Sequence, residues 1–169
     1  MDGQIGVESV PGKGSVFWFT VALPLAAAPV ALEKDAAAVK CRSARILVAE
    51  DIEMNRVIAA ALLKTGGHEV TMVENGKDAI EAVKQSPFDL IFMDMEMPIM
   101  DGLDATRKIR GLDGDAAATP IVALTANALT EDAARCRAAG MNDHLAKPIT
   151  KLSLTNMIEK WASNRELEN

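Results

Sequence analysis

The chain has 169 residues, with 18 basic and 24 acidic side chains and a formal net charge of -6. That balance argues against nonspecific DNA binding as the main role, and a hydrophobic content of 49% argues against wholesale disorder. No apolar run approaches the roughly 20 residues needed to cross a bilayer, and Met1-Asp2-Gly3 lacks the basic start of a signal peptide. The two cysteines, Cys41 and Cys136, show no metal spacing and read as free thiols, so a cytoplasmic chain without direct membrane contact is expected.

Residues 1–25 are rich in glycine and β-formers, and read as a turn-rich hairpin leading into a strand over Val16–Val21. A strand of that kind without sheet neighbours presents an exposed apolar edge. Gly12 and Gly14 form a Gly-x-Gly that is, alone, a weak phosphate-loop signal. Residues 26–43 form an Ala-rich linker. From Ala44 to about Ser163, strand and helix patterns alternate, and a short polar tail, 164–169, follows.

In that region Ile46 to Ala49 is a continuous apolar run, expected of a strand buried on both faces. Asn55 to Lys64 reads as a helix, with Val57, Ile58, Ala61 and Leu62 as its apolar positions and Thr65-Gly66-Gly67 as its stop. Glu69–Val73 is a second strand, and Asn75-Gly76 turns the chain into a helix carrying Ala79, Ile80 and Val83. Ser86-Pro87 precedes a third strand, Leu90–Met93. A helix with Leu103, Thr106 and Ile109 leads to Pro120 and the strand Ile121–Leu124. Thr130 is an expected N-cap, with Glu131 and Asp132 in the first turn and Gly140 as the stop. The strand His144–Ala146 runs into Lys147-Pro148, and Leu154, Met157, Ile158 and Trp161 mark the last helix.

The sum is (βα)5: a doubly wound, parallel, five-stranded sheet with helices on both faces. The flavodoxin-like order 2-1-3-4-5 is one common solution, with its ligand crevice beside strands 1 and 3. Those strands end in Glu50-Asp51 and Asp94. Three carboxylates converging on one edge repel one another unless a cation compensates. Mg²⁺ suits such an all-oxygen set, with a backbone carbonyl from Glu96 as a further ligand. Asp94 is then a candidate nucleophile, forming an aspartyl phosphate. Thr125, at the end of the fourth strand, offers a hydroxyl to a phosphoryl oxygen, and Lys147, at the end of the fifth, offers a point positive charge. Proline at position 148 leaves the Lys147-Pro148 bond open to either isomer.

Glu50-Asp51, Asp94 through Gly102, Thr125-Ala126 and Lys147-Pro148 together closely resemble the motifs of response-regulator receiver domains of two-component signalling. The resemblance implies that Asp94 takes a phosphoryl group from a phosphohistidine, with Mg²⁺ held by Glu50, Asp51 and Asp94. It also implies that Thr125 and Lys147 reposition on phosphorylation and alter the surface built by the fourth helix, fifth strand and fifth helix. The family usually carries Tyr or Phe three residues before the lysine as a rotamer switch. His144 stands there, and either a flipping imidazole or a merely exposed one fits the sequence. Glu96 and Asn127 occupy the positions that tune phosphoryl lifetime in the family.

Residues 1–25 resemble the last segment of the ATP-binding domain of sensor histidine kinases. The chain is therefore expected to be the receiver end of a hybrid histidine kinase, without the kinase catalytic core. Its implied partners are a histidine kinase domain, a histidine phosphotransfer protein, or both. Two alternatives stand beside this. An aspartate-nucleophile phosphatase would need D-x-D-x-T after the first strand, where the chain has no such motif. A phosphorylation-independent interaction module would be expected to lack an acid, the lysine or the phosphoacceptor, and all are present.

Overall fold

In a parallel sheet covered on both sides, successive residues of a strand point to opposite faces, so both must be apolar. Ile46 and Val48 are buried in one cluster, Leu47 and Ala49 in another. The same alternation recurs in Leu90-Ile91-Phe92-Met93 and Ile121-Val122-Ala123-Leu124. The structure, a computed structural model, describes residues 3–21, 43–126 and 130–162. It divides into two units, Met1–Val39 and Lys40–Asn169, each described by itself.

The first unit holds β1 (Gly3–Val10) and β2 (Gly14–Val21). They pair antiparallel over their full length, from Gly3 opposite Val21 to Val10 opposite Gly14. This corrects the expectation of a strand at Val16–Val21 that has lost its neighbours. The turn works because Gly12 and Gly14 take positive φ, 75° and 101°, which β-branched residues resist. Ile5, Val7, Phe17, Phe19 and Val21 share one exposed apolar face. On the other, Trp18 lies across Gly6, where a Cβ would sit 2.4 Å from the indole.

The second unit runs β3 (Arg45–Ala49), α1 (Glu53–Thr65), β4 (Glu69–Val73), α2 (Gly76–Gln85), β5 (Leu90–Asp94), α3 (Gly102–Arg110), α4 (Asp115–Ala118), β6 (Ile121–Thr125), α5 (Thr130–Ala139), β7 (Asp143–Ala146) and α6 (Lys151–Trp161). The sheet order is β4-β3-β5-β6-β7, all neighbours parallel, which is the expected 2-1-3-4-5. The one-turn α4 went unforeseen. It fills the approach to Pro120, and Arg110 ties its end down through bonds to the carbonyls of Ala117 (2.7 Å) and Thr119 (2.8 Å). Asn75, Asp101 and Thr150 cap α2, α3 and α6 through their side chains. The Thr130 cap, the linker, Cys41 and the tail lie outside the described residues or side chains.

One helix departs from expectation. Within α1, Ala59 and Leu63 are the buried residues, whereas Val57 and Ile58 are 58% and 44% exposed. Helical spacing identifies an apolar stripe, but not which stripe faces the sheet. Here Ala59 and Leu63 pack with Ile46, Val48, Leu154 and Ile158, and the second stripe looks outward. Among the described residues, no helix is long and apolar enough to cross a membrane.

Candidate functional site

At the carboxyl end of the sheet, β3, β5 and β7 deliver Glu50, Asp94 and Lys147 to one point. Lys147 Nζ lies 2.6 Å from Asp94 Oδ2 and 2.6 Å from Glu50 Oε2. Asp94 Oδ1 accepts the N–H of Glu96 at 3.3 Å. Glu50, Asp51 and Asp94 each offer an oxygen within 4.8 Å of the others. The sequence expectation of converging acids is met, and Lys147 already supplies part of the compensating charge.

The electrostatics follow from two buried carboxylates sharing one ammonium. Burial pushes the Asp94 carboxyl above its usual range. The Lys147 hydrogen bond and charge pull it back without cancelling the shift, and Glu50 adds to it. For Lys147, burial alone would lower the pKa, but its bonds to Asp94 and Glu50 raise it, so the ammonium stays charged. The set still carries excess negative charge, and a hard divalent cation is what would relieve it. An all-oxygen donor set fits Mg²⁺. The fit is uneven, because Glu50 is spoken for on both oxygens: Oε1 accepts from Asn55 Nδ2 at 2.7 Å and Oε2 from Lys147.

Two neighbours escaped the sequence reading. Arg56 donates through one nitrogen to the carbonyls of Glu50 (2.9 Å) and Asp51 (2.6 Å), and through another to Glu74 at 2.8 Å. With Asn55 it holds the acidic loop from the first turns of α1. Their signal was position: both lie within one or two turns after the acids, on the helix those acids lead into. Beyond Asp94, the loop closes through Gly102 N–H to the Met95 carbonyl at 3.1 Å. Ile99 holds a φ of 69° there, a strained conformation for a β-branched residue.

The remaining expected residues sit at different depths. Thr125 ends β6, buried at 2%, and its carbonyl accepts the Lys147 N–H at 2.8 Å. Glu96 is exposed on the cleft wall. His144 lies on β7 with its side chain 32% exposed and Nδ1 3.9 Å from Asp143 Oδ1. The Lys147-Pro148 peptide bond is cis. Asn127 lies outside the described residues. The site opens into a cleft of about 620 Å³, lined by the acids Asp51, Asp94, Glu96, Asp101 and Asp132, with Lys147 and Arg135 as its cations. Cys136 is buried beneath it, its thiol 3.5 Å from Met95 Sδ.

Known proteins are similar to this chain in sequence and fold. The sensor protein ArcB of Escherichia coli is 36% identical over 168 residues, covering 99% of this chain and 22% of its own length. The receiver domain of the Pseudomonas aeruginosa sensor histidine kinase PA1611, solved with magnesium in its active-site cleft, is 39% identical. It superposes with a TM-score of 0.67, covering 72% of this chain and 98% of its own. The complex of the Saccharomyces cerevisiae phosphotransfer protein Ypd1 with the receiver domain of Ssk1 gives a TM-score of 0.70 at 28% identity, over 75% of this chain and 94% of that one. The chain spans 15–22% of the length of the sensor kinases AruS and ArcB. The family model for the response regulator receiver domain matches residues 46–159, and the chain belongs to that family.

Proposed function

We propose that this receiver takes a phosphoryl group from a phosphohistidine onto Asp94 as one step of a phosphorelay. The observation that carries it is the Glu50–Lys147–Asp94 cluster, with Nζ 2.6 Å from both carboxylates, at the floor of an open cleft. An Asp94 carboxylate oxygen attacks phosphorus, the donor's N–P bond breaks, and the imidazole leaves with the electron pair. Lys147 keeps a positive charge beside the newly charged group. The Thr125 hydroxyl donates to a phosphoryl oxygen, and His144 follows its movement as the switch residue. Glu96 and Asn127 tune how long the phosphoryl group stays.

Asp51, Asp94 and the Glu96 carbonyl would hold Mg²⁺ directly. Glu50, with both oxygens engaged, would act through water or after Lys147 shifts. When bound, the ion neutralises charge on the transferring phosphoryl group. Intact mass after incubation with acetyl phosphate tests this. One added phosphoryl group that requires both Mg²⁺ and Asp94 is expected, with none in Asp94→Asn. No uptake and no beryllofluoride-dependent NMR shifts in wild-type protein would favour an interaction-only module.

The donor would be a histidine kinase domain or a histidine phosphotransfer protein, as the Ypd1–Ssk1 neighbour suggests. The docking face we favour is the outward stripe of α1. Met54, Val57 and Ile58 are exposed there, and Ile52 at the head of α1 lines the cleft. Apolar side chains grouped on a surface mark contact sites. Val57→Asp should leave stability within about 0.5 kcal/mol and slow transfer from a phosphotransfer protein, while leaving acetyl phosphate uptake unchanged. Equal slowing with both donors would remove α1 from the docking face.

The parent would be a cytoplasmic or membrane-tethered hybrid histidine kinase, with residues 1–25 as the end of its ATP-binding domain. The alignment with ArcB, which takes in 99% of this chain, supports that reading. So does the bare apolar face of β1 and β2, since a two-stranded hairpin is marginal without a covering layer. This chain alone should bind no ATP, and a tight Mg²⁺-dependent ATP titration would overturn the assignment.

A further inference from the structure

Among the described residues, Arg135 is the cleft-lining cation that the cluster does not use. Lys147 is committed to two carboxylates at 2.6 Å. Arg135, on α5, lines the same cleft and touches only Asp132 among the described ion pairs, at 3.4 Å, with 62% of its side chain exposed. A surface i,i+3 pair of that length contributes little, so the guanidinium can change partners at small cost. Its planar fork matches the paired oxygens of a phosphoryl group better than an ammonium does. The cleft that Asp94 and Arg135 both line, at about 620 Å³, is of the size that holds small-molecule ligands.

We propose that Arg135 is a donor-binding residue: it exchanges Asp132 for the phosphoryl oxygens of the incoming donor and so sets the receiver's rate and preference for dianionic acyl phosphates. This rests on Asp94 being the phosphoacceptor. In that reaction an Asp94 oxygen bonds to phosphorus, the acyl O–P bond breaks, and the carboxylate leaves with the electron pair. Arg135 takes no part in the covalent change. Asp132 competes for the guanidinium and adds negative charge to the wall. It is therefore a brake on the same step.

Residues on α3 provide an internal control. Asp104 and Arg107 form the same i,i+3 ion pair, but neither lines the cleft. The experiment is the second-order rate of Asp94 phosphorylation by acetyl phosphate with Mg²⁺, followed by intact mass at several ionic strengths. Arg135→Gln is expected to lower the rate roughly tenfold, as loss of one charge-assisted pair does, and to flatten its dependence on salt. Arg135→Lys should recover part of the rate, and Arg107→Gln should match wild type. Asp132→Asn should accelerate uptake, and that gain should vanish in the Arg135→Gln background. Rates in Arg135→Gln equal to wild type at every salt concentration would overturn the role of Arg135 alone. An equal loss in Arg107→Gln would also overturn it, by making the effect one of net charge. No uptake by wild-type protein would overturn the phosphoacceptor reading and the Arg135 proposal together.

Discussion

Arg110 and Lys147 are both partly buried cations, and they stand at opposite ends of the same sheet. Lys147 faces two carboxylates at the carboxyl end. Arg110 is held by neutral acceptors. Its guanidinium donates to the carbonyls of Gly140 (2.8 Å), Ala117 (2.7 Å) and Thr119 (2.8 Å) and to Asn142 Oδ1 (2.7 Å). Burial lowers its pKa, yet guanidinium remains charged in proteins. One end is thus closed by fixed, neutral acceptors that a cation stitches into place. The other holds charge that is incompletely balanced and can be redistributed when another charged group arrives. Rigidity and chemistry are separated along the strands.

The comparison sharpens most through Arg110→Ala. It takes a donor from three carbonyls and leaves Asn142 Oδ1 with the Ile121 N–H alone (2.9 Å), and should cost about 3–5 kcal/mol, read as a shift in the urea midpoint. Adding Mg²⁺ should not restore it. Lys147→Met should cost less, about 1–3 kcal/mol because the site is partly open, and Mg²⁺ should recover most of the loss by replacing the missing cation. Equal responses to Mg²⁺ in the two variants would erase the distinction.

Smaller effects test contacts at the amino ends of the strands, away from the site. Asp143 is desolvated by burial, which raises its pKa. Bonds from Lys160, the His144 N–H and Trp161 Nε1 outweigh that, and the folded value lies below normal. The carboxylate therefore adds stability that is present above about pH 4 and is lost as pH falls through the folded value. Asp143→Asn should cost about 1 kcal/mol at neutral pH and flatten the acid limb of the melting curve. Asp143 thereby fastens the end of α6 to the start of β7.

The smallest effect belongs to His68. Its Nδ1 accepts the Ala44 N–H at 3.3 Å, and burial lowers its pKa. A lowered folded value means stability present above about pH 6.5 and lost as pH falls through the folded value. His68→Ala should remove that dependence and cost less than about 1 kcal/mol.

Strand order and the acidic cluster were legible because their signals are local. Continuous apolar runs mark buried parallel strands, and the acids fall directly after them. The α1 register was not legible, because two apolar stripes compete on one helix and only the packing of Ala59 and Leu63 decides. Arg110 was equally silent. Its four partners come from α4, the loop before β6 and the turn before β7, and no sequence spacing links them. Arg56 and Arg135 are ordinary helix-surface residues by pattern. They become notable only once the fold sets one against the acidic loop and the other on the cleft wall.

Gly102 carries a last consequence. A Cβ there would sit 2.0 Å from the Asp94 carbonyl oxygen. The first turn of α3 therefore rests directly on the end of β5, backbone to backbone, with no side chain as a spacer. Helix α3 and Asp94 share a mechanical seat. A displacement of the Asp94 backbone has no cushion to absorb it before it reaches α3, and a single added methyl group would push the two apart.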